Sequence, residues 1–319
     1  MLKTHKYTLF GIAAILLWSC LIALLRNVSE QLGPVGGAAM VYTMSAVFLI
    51  LVLGIPKFKV FPLGYLMIGG GLFAAYESLF SLALGFANDR VQTIEMGVIN
   101  YLWPSFTVLF SVLINKNVSN NNGLRNKIKS GLIYPSLCVA FFGVAWSILG
   151  EDGLSMTTLS TNVASNPVAY CFALSGAIIW GIYCNVTKYM ANGKNAITLF
   201  FILTAIVLWV EYGFSNEAPL HLSMSSMFSV LLASGVMASG YTLWNSAIIG
   251  GNMVFLATLS YFTPILSSFI SMLILGVALS HSFWQGVVFV TIGSLMCWWA
   301  TREKSKSLMD SNHTADKTK

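Results

Sequence analysis

Two apolar stretches of the sequence carry the same pattern of polar residues around a proline. The two sets are Asn100, Pro104, Thr107 and Ser111, and Ser260, Pro264, Ser267 and Ser271. Spacings of four and three residues place each set on one face of a helix. Because proline has no N–H, the carbonyls of Asn100 and Ser260 lose their helical partner. The pattern predicts two kinked helices that line a cavity, where these carbonyls accept from a substrate ammonium. The alternative is that the helices are kinked and that neighbouring helices supply hydrogen-bond partners to these two carbonyls.

A carboxylate inside an apolar run is the second candidate for chemistry. Glu77 shares a small and polar helix face with Ser81, and a repeat of the pattern later in the chain places Tyr241 and Asn245 in the corresponding positions. A charge within a membrane span is costly and by default indicates function. We therefore expect Glu77 to bind substrate or to carry a proton. Glu95, near a helix end, has the simpler alternative of reaching water.

Aromatic residues make up 13% of the chain, and several lie deep in the apolar runs. Trp298 and Trp299, near the end of the last run, are typical of the belt at a membrane surface. The deeper set recurs in corresponding helices and comprises Trp18, Tyr101, Trp103, Trp180, Tyr241, Trp244 and Tyr261. An aromatic wall suits flat solutes through stacking and cations through cation–π contact. Ordinary helix packing is an equal alternative for each single ring.

Several kinds of chemistry have no support in the sequence. The apolar runs contain no Ser/His/Asp set, no HExxH motif and no P-loop. The five cysteines lie in apolar runs without a CxxC or Cys/His cluster. We therefore predict a protein that is not an enzyme and that has no cofactor and no metal. The net charge of +6 is spread over short clusters between apolar runs, which argues against nucleic acid as a partner.

Composition points to lipid as the solvent of most side chains. The 319 residues are 56% hydrophobic and only 9% charged, and mean hydropathy is +0.76. Since about 20 apolar residues span a bilayer, the sequence predicts an all-α polytopic membrane protein with ten transmembrane helices. They are expected near 8–26, 35–55, 63–87, 92–115, 131–150, 168–190, 196–214, 226–248, 252–277 and 283–301. We expect a monomer whose partners are membrane lipid and a small solute.

The distribution of basic residues predicts the orientation. With ten helices and both termini in the cytoplasm, all but two of the 17 basic residues fall on the cytoplasmic side, as the positive-inside rule requires. The exceptions are Arg26 and Arg90. Arg26 and Lys188 lie at opposite membrane faces, and both are expected to extend to the lipid headgroups. A gating role for the two residues is the alternative.

Internal repetition predicts the domain organisation. One offset superposes Trp18 on Trp180 and Arg26 on Lys188, and a similar offset superposes Tyr101 on Tyr261. Two units of five helices must be inverted relative to each other because five is odd, a plan that recurs in transporters. We predict a first repeat over 1–150, a periplasmic connection over 151–167, a second repeat over 168–301 and a cytoplasmic tail over 302–319.

Several short motifs together resemble a known family. They are Leu17-Trp18-Ser19, Leu32-Gly33-Pro34, Tyr76-Glu77, Asn100-Tyr101-Leu102-Trp103-Pro104-Ser105, Tyr183-Cys184, Tyr261-Phe262-Thr263-Pro264, Phe283-Trp284-Gln285-Gly286 and Cys297-Trp298. The chain resembles the drug/metabolite transporter superfamily, EamA type, and within it the bacterial exporters of aromatic amino acids. The resemblance implies a bacterial inner-membrane location and export of aromatic and other neutral amino acids. It also implies a cavity bordered by the first, third, fourth, sixth, eighth and ninth helices.

Three functions follow, in order of support. The first is export of aromatic amino acids by alternating access, with a substrate site formed by Trp18, Glu77, Ser81, Asn100, Tyr101, Trp103, Pro104, Trp180, Tyr241, Asn245, Ser260, Tyr261 and Pro264. The second is efflux of aromatic or cationic drugs by proton antiport, for which neither the first nor the sixth helix supplies an acid within its span. The third is a membrane enzyme or a non-transporting scaffold. It has the least support, because neither function explains why the architecture is doubled and inverted.

Overall fold

The chain is helical throughout the part that the computed structural model describes, which is residues 2–114, 124–149, 156–192, 194–250 and 262–301. Its helices are α1 (Leu2–Leu32), α2 (Pro34–Leu53), α3 (Gly70–Phe86), α4 (Arg90–Asn100), α5 (Trp103–Ile114), α6 (Leu124–Leu149), α7 (Met156–Ser165), α8 (Pro167–Met190), α9 (Ile197–Phe214), α10 (Met224–Gly250), α11 (Thr263–Leu275) and α12 (His281–Thr301). A 3₁₀ turn (Phe58–Val60) and a π-helical turn (Tyr65–Gly69) precede α3.

Six helical segments of the described chain are long and apolar enough to cross a bilayer. They are Lys6–Leu32, Pro34–Leu53, Tyr65–Phe86, Pro167–Thr187, Ile197–Phe214 and Met224–Trp244. Two shorter apolar segments are Tyr134–Ile148 and Thr263–Leu275. The expectation of a polytopic helical membrane protein is confirmed, and the number ten stays a prediction.

The span predicted over 92–115 is two helices. α4 ends at Asn100 and α5 begins at Trp103. Between them the Leu102 amide donates to the Ile99 carbonyl at 3.0 Å, a tightened turn. The physical reason is Pro104, which has no N–H and is favoured in the first turn of a helix. The kink predicted at Pro104 is therefore a break between two helices. Pro264 likewise lies in the first turn of α11, and the residues 251–261 before it lie outside the described part of the chain.

The connection predicted over 151–167 contains a helix of ten residues, α7. Asn162 joins it to the end of α6, because its side-chain amide donates to the Ile148 carbonyl at 2.8 Å. Asn166 then caps α8 by accepting from the Ala169 amide. The polar residues of this segment predict a loop, but Asn162 and Asn166 instead hydrogen-bond the free backbone groups at helix ends.

Helices α6 and α12 meet along glycines without room for side chains. A Cβ atom on Gly143 would lie 2.6 Å from the Val290 nitrogen, and one on Gly293 would lie 2.6 Å from the Ala140 nitrogen. A Cβ on Gly286 would meet the Gly143 carbonyl at 2.5 Å. Backbone thus packs on backbone, the close approach that small residues permit in membranes. We call the contact around Gly143, Gly286 and Gly293 the glycine seam.

The remaining large contacts also join early helices to late ones. α1 packs on α10, α3 on α8 and α2 on α9. In each pair one helix precedes residue 150 and the other follows residue 166. The two parts of the chain therefore interleave, and their shared interface is where the candidate site lies.

Arg26 does not extend to the lipid headgroups as expected. Only 8% of its surface is exposed. Its guanidinium donates to the Ala87 carbonyl at 2.6 Å and the Leu84 carbonyl at 3.2 Å, at the end of α3, and pairs with Glu30 at 2.9 Å. A cation is favoured at a helix C-terminus, and these free carbonyls cannot be foreseen from the sequence of α1.

Two further charges at the same face of the bundle satisfy helix ends. Arg90 pairs with Glu30 at 2.8 Å and donates to the carbonyl of Leu275, the last residue of α11, at 2.8 Å. The Glu217 carboxylate accepts from the amides of Val35 and Gly36 at the start of α2. Each charge has the sign that its helix end favours. Both links join the early part of the chain to the late part.

Candidate functional site

Glu77 lies at the centre of the bundle on α3 and is 2% exposed. The Tyr42 hydroxyl of α2 donates to one carboxylate oxygen at 2.5 Å, and the Tyr241 hydroxyl of α10 donates to the other. Ser81 donates to the Tyr42 hydroxyl at 3.3 Å. A buried carboxyl group must be hydrogen-bonded to be tolerated. Hydroxyls from two other helices, α2 and α10, satisfy the carboxylate of Glu77.

Rings from both parts of the chain converge beside Glu77. The set comprises Trp18, Phe73, Tyr76, Trp103, Trp180 and Tyr241, and we call it the aromatic cluster. Ring centroids lie 4.4 Å apart for Trp180 and Tyr76, 6.3 Å for Trp180 and Trp103, and 5.3 Å for Tyr241 and Trp18. These separations are typical of favourable aromatic pairs. The structure thus brings together four aromatic residues that the sequence selected.

Two buried polar atoms of the site have no hydrogen-bond partner within the described part of the chain. One is the acceptor Oδ1 of Asn100, whose Nδ2 donates to the Tyr76 hydroxyl at 3.3 Å. The other is the donor Nε1 of Trp18. Such atoms are rare in folded proteins.

Other residues selected from the sequence are placed differently or not described. Tyr101 lies half-buried in the turn between α4 and α5. Pro264 is buried at the start of α11. The side chains of Pro104 and Asn245, and the whole of Ser260 and Tyr261, lie outside the described residues. Their substrate contacts stay predictions.

Sequence reasoning missed Tyr42, Phe73 and Tyr76 as site residues. Phe73 precedes Glu77 by four residues, so helical spacing was a usable signal for it. Tyr42 had none, because α2 is apolar on all sides and its sequence does not indicate which face is inward.

Glu95 lines a polar cavity of about 180 Å³ between α4, α7 and α8, away from the aromatic cluster. The Tyr170 hydroxyl donates to its carboxylate at 2.5 Å, so Glu95 is paired instead of simply reaching water. The described residues hold no group of three or more His, Cys, Asp or Glu side chains suited to a metal ion.

Apolar helices around a buried aromatic and carboxyl centre define a polytopic membrane protein with an internal site, the class to which transporters belong. The EamA-like transporter family matches residues 167–299. The chain is 44% identical to the aromatic amino acid exporter YddG of Salmonella typhimurium over 95% of its length and all of that protein. It is 43% identical to the YddG of Escherichia coli over 93% of its length and 98% of that protein.

The chain therefore belongs to the EamA-like transporter family, and the resemblance inferred from its motifs is confirmed. It is a transporter and not an enzyme, and a multi-pass protein of the bacterial inner membrane. A solved crystal structure with 21% identity matches it at a TM-score of 0.62, covering 94% of this chain and 100% of that one. That match concerns the fold alone.

Proposed function

We propose that this protein exports aromatic amino acids from the cytoplasm. The observation that carries the proposal is the aromatic cluster with its two unpartnered polar atoms at the interface of the two parts of the chain. The relatives named as aromatic amino acid exporters match the chain over nearly its whole length. Other neutral amino acids are secondary substrates.

Recognition divides between rings and polar groups. Trp18, Trp103, Trp180 and Tyr241 stack against the aromatic side chain of the substrate. Asn100 accepts from its ammonium group, and the Trp18 indole donates to its carboxylate. Proposed contacts from Tyr101, Pro104, Asn245, Ser260, Tyr261 and Pro264 complete the cavity. Glu77 and Ser81 belong to the site through Tyr42 and Tyr241.

The ten helices are proposed to form two inverted repeats, 1–150 and 168–301, with both termini and the tail 302–319 cytoplasmic. The glycine seam supports this layout. One offset carries Ser136, Ala140 and Gly143 of α6 onto Gly286, Val290 and Gly293 of α12. The same offset relates their contacts, since Gly143 faces Val290 and Gly286, while Gly293 faces Ala140 and Ser136. Such reciprocity is what a two-fold axis between the helices produces.

Transport is proposed to follow alternating access, with the repeats moving around the shared site. In the proposed orientation, Arg26, Glu30, Arg90 and Glu217 all lie at the periplasmic face. Their contacts with the ends of α2, α3 and α11 hold that face closed. Opening to the periplasm then requires the link from Arg90 to Leu275 to separate.

We expect Glu30→Gln to favour the form that is open to the periplasm. Neutralising Glu30 removes the partner that orients Arg90 toward Leu275. An exposed pair contributes up to about 1 kcal/mol, which shifts a two-state equilibrium roughly fivefold. Cys184 lies four residues from Trp180 on α8 and is the reporter, with the other cysteines changed to serine. Labelling by an impermeant maleimide from outside should accelerate about fivefold.

Lys194→Gln is the matched control for this measurement. The Lys194 ammonium donates to the Val60 carbonyl at 2.6 Å on the opposite face. Its loss should leave labelling from the periplasm no faster than in the wild type. Equal rates in the Glu30→Gln variant and the wild type would contradict a closing role for the periplasmic charges.

Export is tested with purified protein in proteoliposomes and labelled tryptophan. Counterflow uptake without a pH gradient would establish a facilitator of aromatic amino acids. Uptake only with an imposed gradient would establish exchange with protons. Absence of uptake in both conditions, from protein that is monodisperse, would overturn the proposal. Uptake of an aromatic cation in the same vesicles would then identify a drug efflux protein instead.

A further inference from the structure

The Tyr241 ring is the contact through which Glu77 reaches the aromatic cluster. Its centroid lies 5.3 Å from Trp18, 5.9 Å from Phe73 and 6.5 Å from Trp180. Its hydroxyl points away from these rings and donates to Glu77. The two ends of one side chain thus connect the carboxylate to the substrate-facing rings.

The Glu77 carboxylate is not open to contact with a substrate. Each carboxylate oxygen accepts a tyrosine hydroxyl, and 2% of the residue is exposed. Tyr42, the second donor, is fully buried and contacts Phe201 instead of the cluster, with centroids 5.6 Å apart. The carboxylate therefore lies behind the aromatic wall.

Removing the acceptor changes where the Tyr241 hydroxyl can lie. A buried hydroxyl without a partner is costly, so the side chain would turn toward another acceptor. Because the ring is rigid, that movement displaces the face that packs against Trp18. The orientation of the rings in the aromatic cluster thus depends on the Glu77 carboxylate, which is not part of the cluster.

We propose that Glu77 is a positioning residue that fixes the Tyr241 ring, and through it the shape of the aromatic wall, without touching the substrate. The positioning of the ring does not depend on what the protein transports. Only the expected effect on transport kinetics rests on the proposed export of aromatic amino acids. Glu77 on α3 and Tyr241 on α10 come from the two parts of the chain. The bond between them therefore also sets how these parts meet at the site.

The first test reads ring positions without any substrate. Protein labelled with 5-fluorotryptophan gives one ¹⁹F signal for each of its nine tryptophans. The signals of Trp18 and Trp180 are assigned with Trp18→Phe and Trp180→Phe. Glu77→Met, which has the length of glutamate without an oxygen acceptor, and Tyr241→Phe should each shift both signals and leave that of Trp284 in place. Unchanged Trp18 and Trp180 signals in Glu77→Met would overturn the proposal, whatever the protein transports.

The second test separates positioning from direct binding. Glu77→Met and Tyr241→Phe should each raise KM for tryptophan about 5- to 10-fold, with a smaller change in kcat. The double variant should be no weaker than the weaker single variant, because both changes remove one interaction. Multiplied losses would assign Glu77 an independent contact with the substrate ammonium and overturn the proposal.

Two controls keep the result interpretable. Tyr212→Phe removes a tyrosine hydroxyl that donates to the Ala218 carbonyl at 3.0 Å, away from the site, and should leave KM and the assigned signals unchanged. Where Glu77→Met does not fold, Tyr241→Phe alone must still shift the Trp18 signal. A wild type without transport activity but with the expected ¹⁹F shifts would contradict export and support positioning.

Discussion

Trp180→Ala is expected to reduce kcat/KM for tryptophan export about 10-fold or more, since the proposed stack of its ring on the substrate contributes up to about 1.5 kcal/mol beyond the apolar area that it buries. Trp180 packs on Tyr76 and Trp103 of the early part of the chain and on Tyr183 and Tyr241 of the late part. The measurement is the initial rate of export against substrate concentration.

Two variants control this result. Trp180→Phe retains a ring at the site and should recover most of the activity. Trp284→Ala removes a tryptophan on the outside of the bundle, beside Phe269 and Phe283, and should export at the wild-type rate. Activity of Trp180→Ala equal to that of Trp284→Ala would show that the cluster is packing alone.

Gly143→Leu is expected to have the largest effect on stability, about 3 kcal/mol or more, because overpacking against backbone cannot be relieved by side-chain movement. Even the first added carbon would approach the Val290 nitrogen and the Gly286 carbonyl within 2.7 Å. The helices α6 and α12 would have to separate. Size-exclusion chromatography after heating in detergent should show loss of monodisperse protein many degrees below the wild type.

Gly235→Leu is the matched control, since a Cβ atom at this position on α10 meets nothing within 4 Å. Its melting temperature should equal or exceed that of the wild type, because glycine inside a helix is destabilising by about 0.5–1 kcal/mol relative to alanine. Gly293→Leu, the counterpart of Gly143→Leu across the seam, should be as damaging. A tolerant Gly143 would mean that the close contact of the two helices is not required for folding.

The sequence predicted the helical membrane fold and selected Glu77, Trp18 and Trp180, which the structure brings together, for a physical reason. Glu77 and Pro104 stand out in lipid because a charge and a missing N–H are costly there. Trp18 and Trp180 stand out because they recur in corresponding helices. The break between α4 and α5, however, depends on how the chain turns before Pro104, which residue types alone do not specify.

Contacts between helices were the part that could not be predicted. Tyr42 lies on a helix that is apolar all round, and hydrophobicity does not select an inner face when the outside is lipid. Arg26 has the length to reach headgroups, and only the position of Ala87 and Leu84 shows why it stays buried. In both cases, hydrogen bonds between residues far apart in the sequence determine where the side chain lies.

The reciprocity of the glycine seam has a consequence for assembly. A helix that meets its own counterpart through equivalent residues forms an isologous contact, the kind that closes a dimer of identical subunits. Here both partners lie on one polypeptide, so the contact can never dissociate by dilution. Because α6 and α12 are separate segments of that polypeptide, they need not be identical, and each can change the side chains outside the seam independently while the glycines keep their register.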